Sequence, residues 1–311
     1  MEANVEVLEA ESADGWESVV SGCFVPLRCA GFEPAFAGRM EHVALDDRLS
    51  VSLVTTCGTS AERTARLARR AEADDVHISL QRSSHGTVSA DGRATSVRPG
   101  SVTIYATDRP YYLDYSWRDQ QQHIVQVSRT SLGLPPRMLE AAMARLAVPG
   151  GASSSSARNL FSYVRELPDG PASSRVADVT RDLARVMIRS SFADGVVVPR
   201  TSGGLRHAVK EYLRQNATRP GLDMDQVARQ HFVSRRRLYQ AFEQAGQSPA
   251  AFLRAERLRV AARLLTDPRQ AGRTVEQIGY AAGFEDPTTF TRAFRRAYGC
   301  APREWRAAGG A

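Results

Sequence analysis

Asp225-Gln226-Val227-Ala228, then Phe232-Val233-Ser234-Arg235-Arg236-Arg237-Leu238, then Phe242: this stretch decides how the chain reads. Apolar residues recur at helical spacing on both sides of a tight turn at Phe232-Val233. Asp223 stands where it caps the first helix and Ser234 where it caps the second. The second helix is expected to bury Leu238, Ala241 and Phe242. Its other face then carries Arg235, Arg236, Tyr239 and Gln240. Two short helices about a tight turn, with three arginines opening the second, form a helix-turn-helix, whose second helix enters the major groove of DNA. The pattern recurs as Val275-Glu276-Gln277-Ile278, Gly283-Phe284 and Phe290-Thr291-Arg292-Ala293-Phe294-Arg295-Arg296. Asp286-Pro287 opens that second helix and Gly299 closes it. It is expected to bury Phe290, Ala293, Phe294 and Ala297 and to expose Thr288, Thr289, Arg292, Arg295 and Arg296.

Between the two units, Ser248-Pro249 opens a helix over about 248–265, with Phe252, Leu253, Leu258, Ala261, Ala262 and Leu265 as its core face. A helix of that length spans about 27 Å at ~1.5 Å per residue. Successive major grooves on one face of B-DNA lie about 34 Å apart. One polypeptide can therefore present two reading helices to neighbouring grooves. Residues 201–311 read as one all-α domain with units at about 223–244 and 274–298, preceded by a helix over 205–215. Arg292 is best placed to read bases. Arg295 and Arg296, further along, are assigned to phosphate, as are Ser234, Arg235 and Arg237 at the start of the other helix.

Charge supports the same division. Residues 200–311 hold 20 Arg or Lys against 10 Asp or Glu, whereas residues 1–199 hold 21 against 24, within a chain of net charge +7. Only the C-terminal part is built to meet a polyanion. Lys210 is the one lysine, and arginine suits bidentate contact with phosphate and guanine edges. Cys23, Cys29, Cys57 and Cys300 form no C-x-x-C pair and no zinc-ligand spacing, so free thiols, no metal and no cofactor are expected. No apolar run reaches the length of a membrane span, and the acidic start lacks the features of a signal peptide; a cytoplasmic location is expected.

Residues 1–132 carry strand signals. Val76-His77-Ile78-Ser79-Leu80-Gln81 alternates apolar and polar. Asp91-Gly92 marks a hairpin inside 87–94, followed by a turn at Arg98-Pro99-Gly100-Ser101. Residues 102–105, 111–115 and 123–127 read as further strands. Many short strands with turns between them predict a jelly-roll or cupin-like β-barrel. Residues 60–73 read as a possible helix too rich in arginine to be core. His77, Tyr105, Trp117 and His123 are candidates to line an interior pocket. In 133–200, helices are expected at 138–146, 159–167 and 174–192, with flexible breaks at 149–156 and 194–204. Val176, Val179, Leu183, Val186 and Met187 form a stripe on the third of these helices, suited either to packing within the domain or to a dimer seam. The fold class is α+β multidomain: β-barrel, helical hairpin, all-α tandem helix-turn-helix.

The stretch Gly246-x-Ser248-Pro249-x-x-Phe252-Leu253-Arg254-x-x-Arg257-Leu258-x-x-Ala261 closely resembles the AraC/XylS family of transcription regulators. So does Ile278-x-x-x-x-Gly283-Phe284-x-Asp286-x-Thr288-x-Phe290-x-Arg292-x-Phe294-Arg295-Arg296-x-Tyr298-Gly299-x-x-Pro302-x-x-Trp305-Arg306. The resemblance covers about 203–306. It implies binding to double-stranded DNA at a bipartite site, contact with RNA polymerase, and in most members activation. It places the base-facing positions on Arg236, Tyr239 and Gln240, and on Thr288, Thr289 and Arg292. Departures are Gly279 in place of the usual Ala, Thr288 where Ser is common, and Cys300 where Val or Thr is usual. Gly279 is expected to loosen its helix by up to ~1 kcal/mol relative to Ala. Residues 24–130 resemble more weakly the jelly-roll sensor domains that precede such modules, through 73–78, Asp91-Gly92-Arg93, Arg98-Pro99-Gly100-Ser101-Val102 and Asp108-Arg109-Pro110-Tyr111. That implies a small-molecule effector pocket or a partner surface, and a homodimer. Alternatives are a ligand-independent dimeric regulator or repressor, and an enzyme fused to a DNA-binding module. The enzyme would need a reactive cysteine, for which Cys29 beside Arg28 offers little, and no catalytic residues are assigned.

Overall fold

The computed structural model describes residues 5–31, 35–70, 74–148, 150–167, 174–192 and 199–309. The chain forms two compact units, Met1–Thr201 and Ser202–Ala311.

The first unit runs β1 (Glu6–Ala10), α1 (Ala13–Cys23), β2 (Arg28–Gly31), β3 (Gly38–Asp46), β4 (Leu49–Thr56), β5 (Thr59–Arg63), α2 (Ala65–Arg70), β6 (Asp75–Ser83), β7 (Gly86–Ala90), β8 (Arg93–Val97), β9 (Val102–Ala106), β10 (Tyr111–Tyr115) and β11 (Gln120–Ser128). Four helices follow: α3 (Arg129–Leu132), α4 (Pro136–Arg145), α5 (Ser155–Arg165) and α6 (Ser174–Phe192). The strands make two antiparallel sheets, ordered β1-β3-β4-β11-β6-β9 and β2-β5-β10-β7-β8. The predicted hairpin joins β7 to β8, with Asp91 and Gly92 both at positive φ, as a two-residue primed turn requires.

Strand alternation sorts the six-stranded sheet into two faces. Outward, Leu49, Val51, Val76, Ile78, Val102, Ile104, Val125 and Val127 pack against Leu139, Met143, Leu160, Phe161, Leu183 and Met187 of the helices. Inward, Met40, Val54, Tyr105 and Ile124 meet Val88, Tyr111, Leu113 and Tyr115 of the other sheet, with Trp16 and Val20 of α1. The stripe on α6 is thus used inside the unit: Val179, Leu183 and Met187 are buried in this cluster and Val176 packs on it, which removes it as a dimer seam. The expected break at 149–156 is a packed turn wherever it is described. Ala152 N–H donates to Gly100 O at 2.8 Å, and Ser154 caps α5. Pro149 lies outside the described residues, as do 194–198 of the second expected break.

Residues 60–73 were expected as an arginine-rich helix outside the core. Instead, 60–63 complete β5, and Arg63 is fully buried at 0% exposure. Among the described residues of this stretch only Ala65–Arg70 is helical. The ladder of β5 with β10 holds Arg63 inside, opposite Tyr111. The inward face is also unusually polar. Gln81 Nε2 donates to Gln120 Oε1 at 2.7 Å, and Gln122 Nε2 donates to both neighbours at 3.1 and 3.3 Å.

The second unit is helical: α7 (Ser202–Asn216), α8 (Met224–Gln230), α9 (Arg235–Glu243), α10 (Pro249–Thr266), α11 (Val275–Ala281), α12 (Pro287–Tyr298) and α13 (Pro302–Ala307). Helix α7 starts three residues earlier than expected and takes in Ser202-Gly203-Gly204. One core gathers Leu205, Val209, Leu213, Val227, Leu238, Phe242, Phe252 and Leu253. The other gathers Leu258, Ala261, Leu265, Ile278, Phe284, Phe290 and Phe294. Gly279 is not a weakness here. A Cβ there would lie 2.8 Å from the Phe290 ring, so its lack of a side chain lets α11 and α12 close on each other. Ala297, expected in this core, is exposed.

Gly279→Ala is accordingly expected to destabilise the chain by a net of about 1–2 kcal/mol: overpacking at the upper end of its usual range of about 1–3 kcal/mol, less the ~1 kcal/mol gained in helix propensity. Urea unfolding decides; a variant as stable as the parent refutes the packing argument. Stability should also fall with acid. Burial, and then the charge of Arg63, pushes His77 down to about 3; burial, and then Arg82 and Arg165, pushes His123 down to about 4. In the unfolded chain both titrate near 6.5, so the unfolded state holds more protons between those limits. The contribution of these neutral imidazoles is complete above the unfolded value and is lost as pH falls through that window. Thermal unfolding between about pH 7 and about pH 5 should show a falling midpoint, with a shallower slope in His77→Phe; parallel slopes would contradict the assignment.

Candidate nucleic-acid interface

Each helix-turn-helix is fixed by its caps. Asp223 Oδ1 accepts from Gln226 N–H at 2.7 Å and starts α8. Phe232 takes φ 53° in the turn, and Val233 N–H returns to Ala228 O at 3.0 Å. Ser234 Oγ then accepts from Arg237 N–H at 3.2 Å and starts α9. With Leu238, Ala241 and Phe242 buried, helical geometry turns Arg235, Arg236, Arg237 and Gln240 to the exposed side. Arg236 and Gln240 stand at i,i+4 with no intrachain hydrogen bond or ion pair among the described residues. Arg235 is held: Nη1 meets Asp225 Oδ2 at 2.9 Å, and its guanidinium lies 5.6 Å from the Tyr239 ring centre. Tyr239 is half-buried and packs on the first core. Of the residues given one role by sequence, it is the one shared between core and surface.

In the second unit Thr274 and Gln277 form a reciprocal capping box on α11. Asp286 Oδ2 accepts from Thr289 N–H at 2.6 Å to start α12. Hydrogen bonding to Thr289, with Arg292 contributing last, holds the Asp286 carboxyl below its ordinary range. Phe290 and Phe294 are buried, and Thr288, Thr289, Arg292, Arg295 and Arg296 are all exposed. Thr288, Arg292 and Arg295 follow one another at i, i+4 and i+7, so they share a face. Gly299 ends the helix at φ 77°, and Phe294, Tyr298 and Trp305 stack behind it at 4.6–6.0 Å.

Sequence reading missed the tie between the two halves. Arg257 of α10 donates through Nε to Ala217 O at 2.9 Å and through Nη2 to Arg219 O at 3.2 Å. Gly283, at φ 93°, lies against the same place: a Cβ there would be 2.5 Å from Ala217 O and 3.0 Å from Arg257 Nε. Both residues stood in the quoted motif, but the contact spans 40 positions and nothing local marks it. A groove of about 550 Å³ opens beside it, lined by Gly221–Met224, Arg254, Arg257, Phe284–Asp286 and Thr289.

The pocket candidates of the first unit do not converge. His77 and Tyr105 lie together inside the sandwich, ring centres 5.4 Å apart. His123 is buried, but its place in the alternation of β11, with Val125 and Val127, puts it on the outward face under the helices. Trp117 is 57% exposed and stacks on His85 at 4.2 Å, well outside the interior. All four cysteines are free. Burial, then Glu17, pushes the Cys29 thiol up to about 12, away from the thiolate an enzyme nucleophile needs. Among the described residues no helix is long and apolar enough to cross a membrane.

Comparison with known proteins agrees with this geometry. Residues 16–189 match the family described as an AraC-binding-like domain, and residues 227–308 the family described as a helix-turn-helix domain. The transcriptional activator NphR of a Rhodococcus species is 26% identical over 227 residues, covering 70% of this chain and 66% of NphR. An uncharacterised protein of a Bacillus strain, OxB-1, is 30% identical over 128 residues, covering 41% of this chain. The match spans about half the length of that relative, 49%. The crystal structure of the AraC-like transcriptional activator CuxR superposes with a TM-score of 0.50 at 19% identity, covering 90% of this chain and all of that one, which speaks to the fold. The chain belongs to the AraC/XylS family of DNA-binding transcription regulators.

Proposed function

We propose that this chain binds double-stranded DNA at a bipartite site and activates transcription under the control of its β-rich unit. The observation that carries the reading is the pair of capped helices, α9 and α12, whose exposed faces hold Arg236 and Gln240 in one and Thr288, Thr289 and Arg292 in the other. Arg236, Tyr239, Gln240, Thr288, Thr289 and Arg292 are proposed to face bases. Ser234, Arg235, Arg237, Arg295 and Arg296 are proposed to face phosphate, with Arg235 exchanging Asp225 for the backbone. Activation draws on the likeness to NphR, a transcriptional activator, and contact with RNA polymerase on the family resemblance alone. Action as a homodimer is part of the reading, through a surface other than the α6 stripe. A cytoplasmic location, no enzymatic activity and residue groupings of 1–132, 133–200 and 201–311 complete it.

Selection of bound sequences from a random DNA pool, followed by binding measurements on the selected site, tests this. Arg292→Ala should lower discrimination at one half of the site by about tenfold or more while leaving nonspecific affinity little changed. Equal weakening on all sequences would make Arg292 a phosphate contact instead. Affinity should also fall steeply as salt rises, since neutralised phosphates release counterions. A flat dependence of log K on log salt excludes the phosphate roles.

A further inference from the structure

Arg63 is the feature of the β-unit that packing does not account for. It projects from β5 into the sandwich interior and is fully buried. Its Nε donates to Thr107 O and its Nη1 to Pro26 O at 2.6 Å. Both acceptors are neutral carbonyls. Its Nη2 is buried and makes no hydrogen bond. Among the described residues no carboxylate pairs with it. Asp108, the nearest acid felt there, has Oδ1 engaged by Arg109 and Arg129. A guanidinium does not shed its proton, and a buried one without a counter-charge is costly.

From the opposite sheet His77, 2% exposed, faces the same space with its Nε2 also buried and unpartnered. Aromatic rings surround the two groups. Phe24 lies 5.1 Å and Tyr105 5.4 Å from the His77 ring centre, and Tyr111 lies 4.9 Å from Tyr105. Arg63 and Tyr111 also line a groove of about 440 Å³ beside the β7–β8 hairpin. Two unsatisfied groups, one a fixed cation, set among rings, define the chemistry of a guest. It must bring negative charge and acceptor atoms to Arg63, and a flat apolar body to the rings. A phosphate has no use for the rings and would want more donors than the site offers.

We propose that the interior of the β-unit binds a small ring-bearing organic carboxylate, its oxygens accepting from Arg63 Nη2 and from His77 Nε2, its ring among Phe24, Tyr105 and Tyr111. This rests on the reading of that unit as a ligand-controlled sensor and names the class of ligand. With the imidazole neutral, its proton sits on Nε2 when the carboxylate is bound. The bound carboxylate supplies the missing counter-charge, so occupancy stabilises the folded chain.

The test uses the full chain, phenylacetate and 3-phenylpropanoate, and the two matching primary amides. Thermal unfolding should show the midpoint rising with either acid and unmoved by the amides at the same concentration. Arg63→Gln should bind the acids at least tenfold more weakly, because a charge-assisted pair is lost. His77→Phe removes an unsatisfied nitrogen, so it should fold no less stably than the parent and yet lose most of the rise. Amides that act as well as the acids would overturn the proposal, as would a His77→Phe chain that keeps the full rise. So would a chain that binds its selected DNA normally but whose midpoint neither acid moves. A chain that gains stability from the acids but binds no DNA would instead refute the DNA reading and leave this one standing.

Discussion

Everything the C-terminal unit can do depends on α10 being one uninterrupted helix that belongs to two cores. Its first turns place Phe252 and Leu253 in the cluster of the first helix-turn-helix. Its later turns place Leu258, Ala261 and Leu265 in the cluster of the second. A helix is stiff over this length, so the separation of α9 and α12 is set by residue count rather than by a flexible joint. Rotation about that axis is the remaining freedom, and the Arg257 bonds to Ala217 and Arg219 oppose it, with Gly283 giving the close approach they need. Two independent modules on a loop would have to be ordered on binding; two modules sharing a helix are already ordered.

The β-unit answers a different demand with the same economy of parts. The outward face of its six-stranded sheet buries Leu49, Val51, Val76, Ile78, Val102, Ile104, Val125 and Val127 in one cluster with residues of α4, α5 and α6. The inward face carries Ser50, Ser52, His77, Ser79, Gln81, Gln120 and Gln122, all buried. An interior so polar is a poor source of hydrophobic stability. The helical layer supplies it instead, which is why the α6 stripe is turned to the sheet.

How legible each part was in the sequence follows from how local its physics is. Caps, glycine at positive φ and i,i+4 apolar spacing act within a few residues, and so both helix-turn-helix units could be placed from Asp223, Ser234, Asp286 and Gly299 alone. Gly279 was misjudged because propensity is a local quantity and the Phe290 ring pressing on it is not. Strands β6 to β11 were visible through alternation and turn residues, but β1 to β4 were not recognised. In β4 the period is intact, Leu49-Ser50-Val51-Ser52-Leu53, so nothing physical hid that strand. Arg63 was the largest misreading: arginine signals surface, and only the β10 ladder, pairing it with Tyr111, holds it inside. Trp117 erred the other way, an aromatic assigned to the interior that sits exposed on a loop against His85.

Strand β6 joins these two halves of the β-unit. Within three consecutive residues it turns Val76 and Ile78 outward into the helical cluster and His77 inward beside Arg63. Protein interiors are close-packed and have little slack, so a shift of His77 cannot leave Val76 and Ile78 where they were. Those residues share their cluster with Leu183 and Met187 of α6. The same helix carries Asp182, almost fully buried, whose carboxylate accepts from Arg200 N–H, Thr201 N–H and the Thr201 hydroxyl at 2.8–3.1 Å. The last residues before the DNA-binding unit are therefore held by the helix that covers the six-stranded sheet. A sandwich interior one sheet away from that helix needs no long relay to reach the linker: one strand and one helix span the distance.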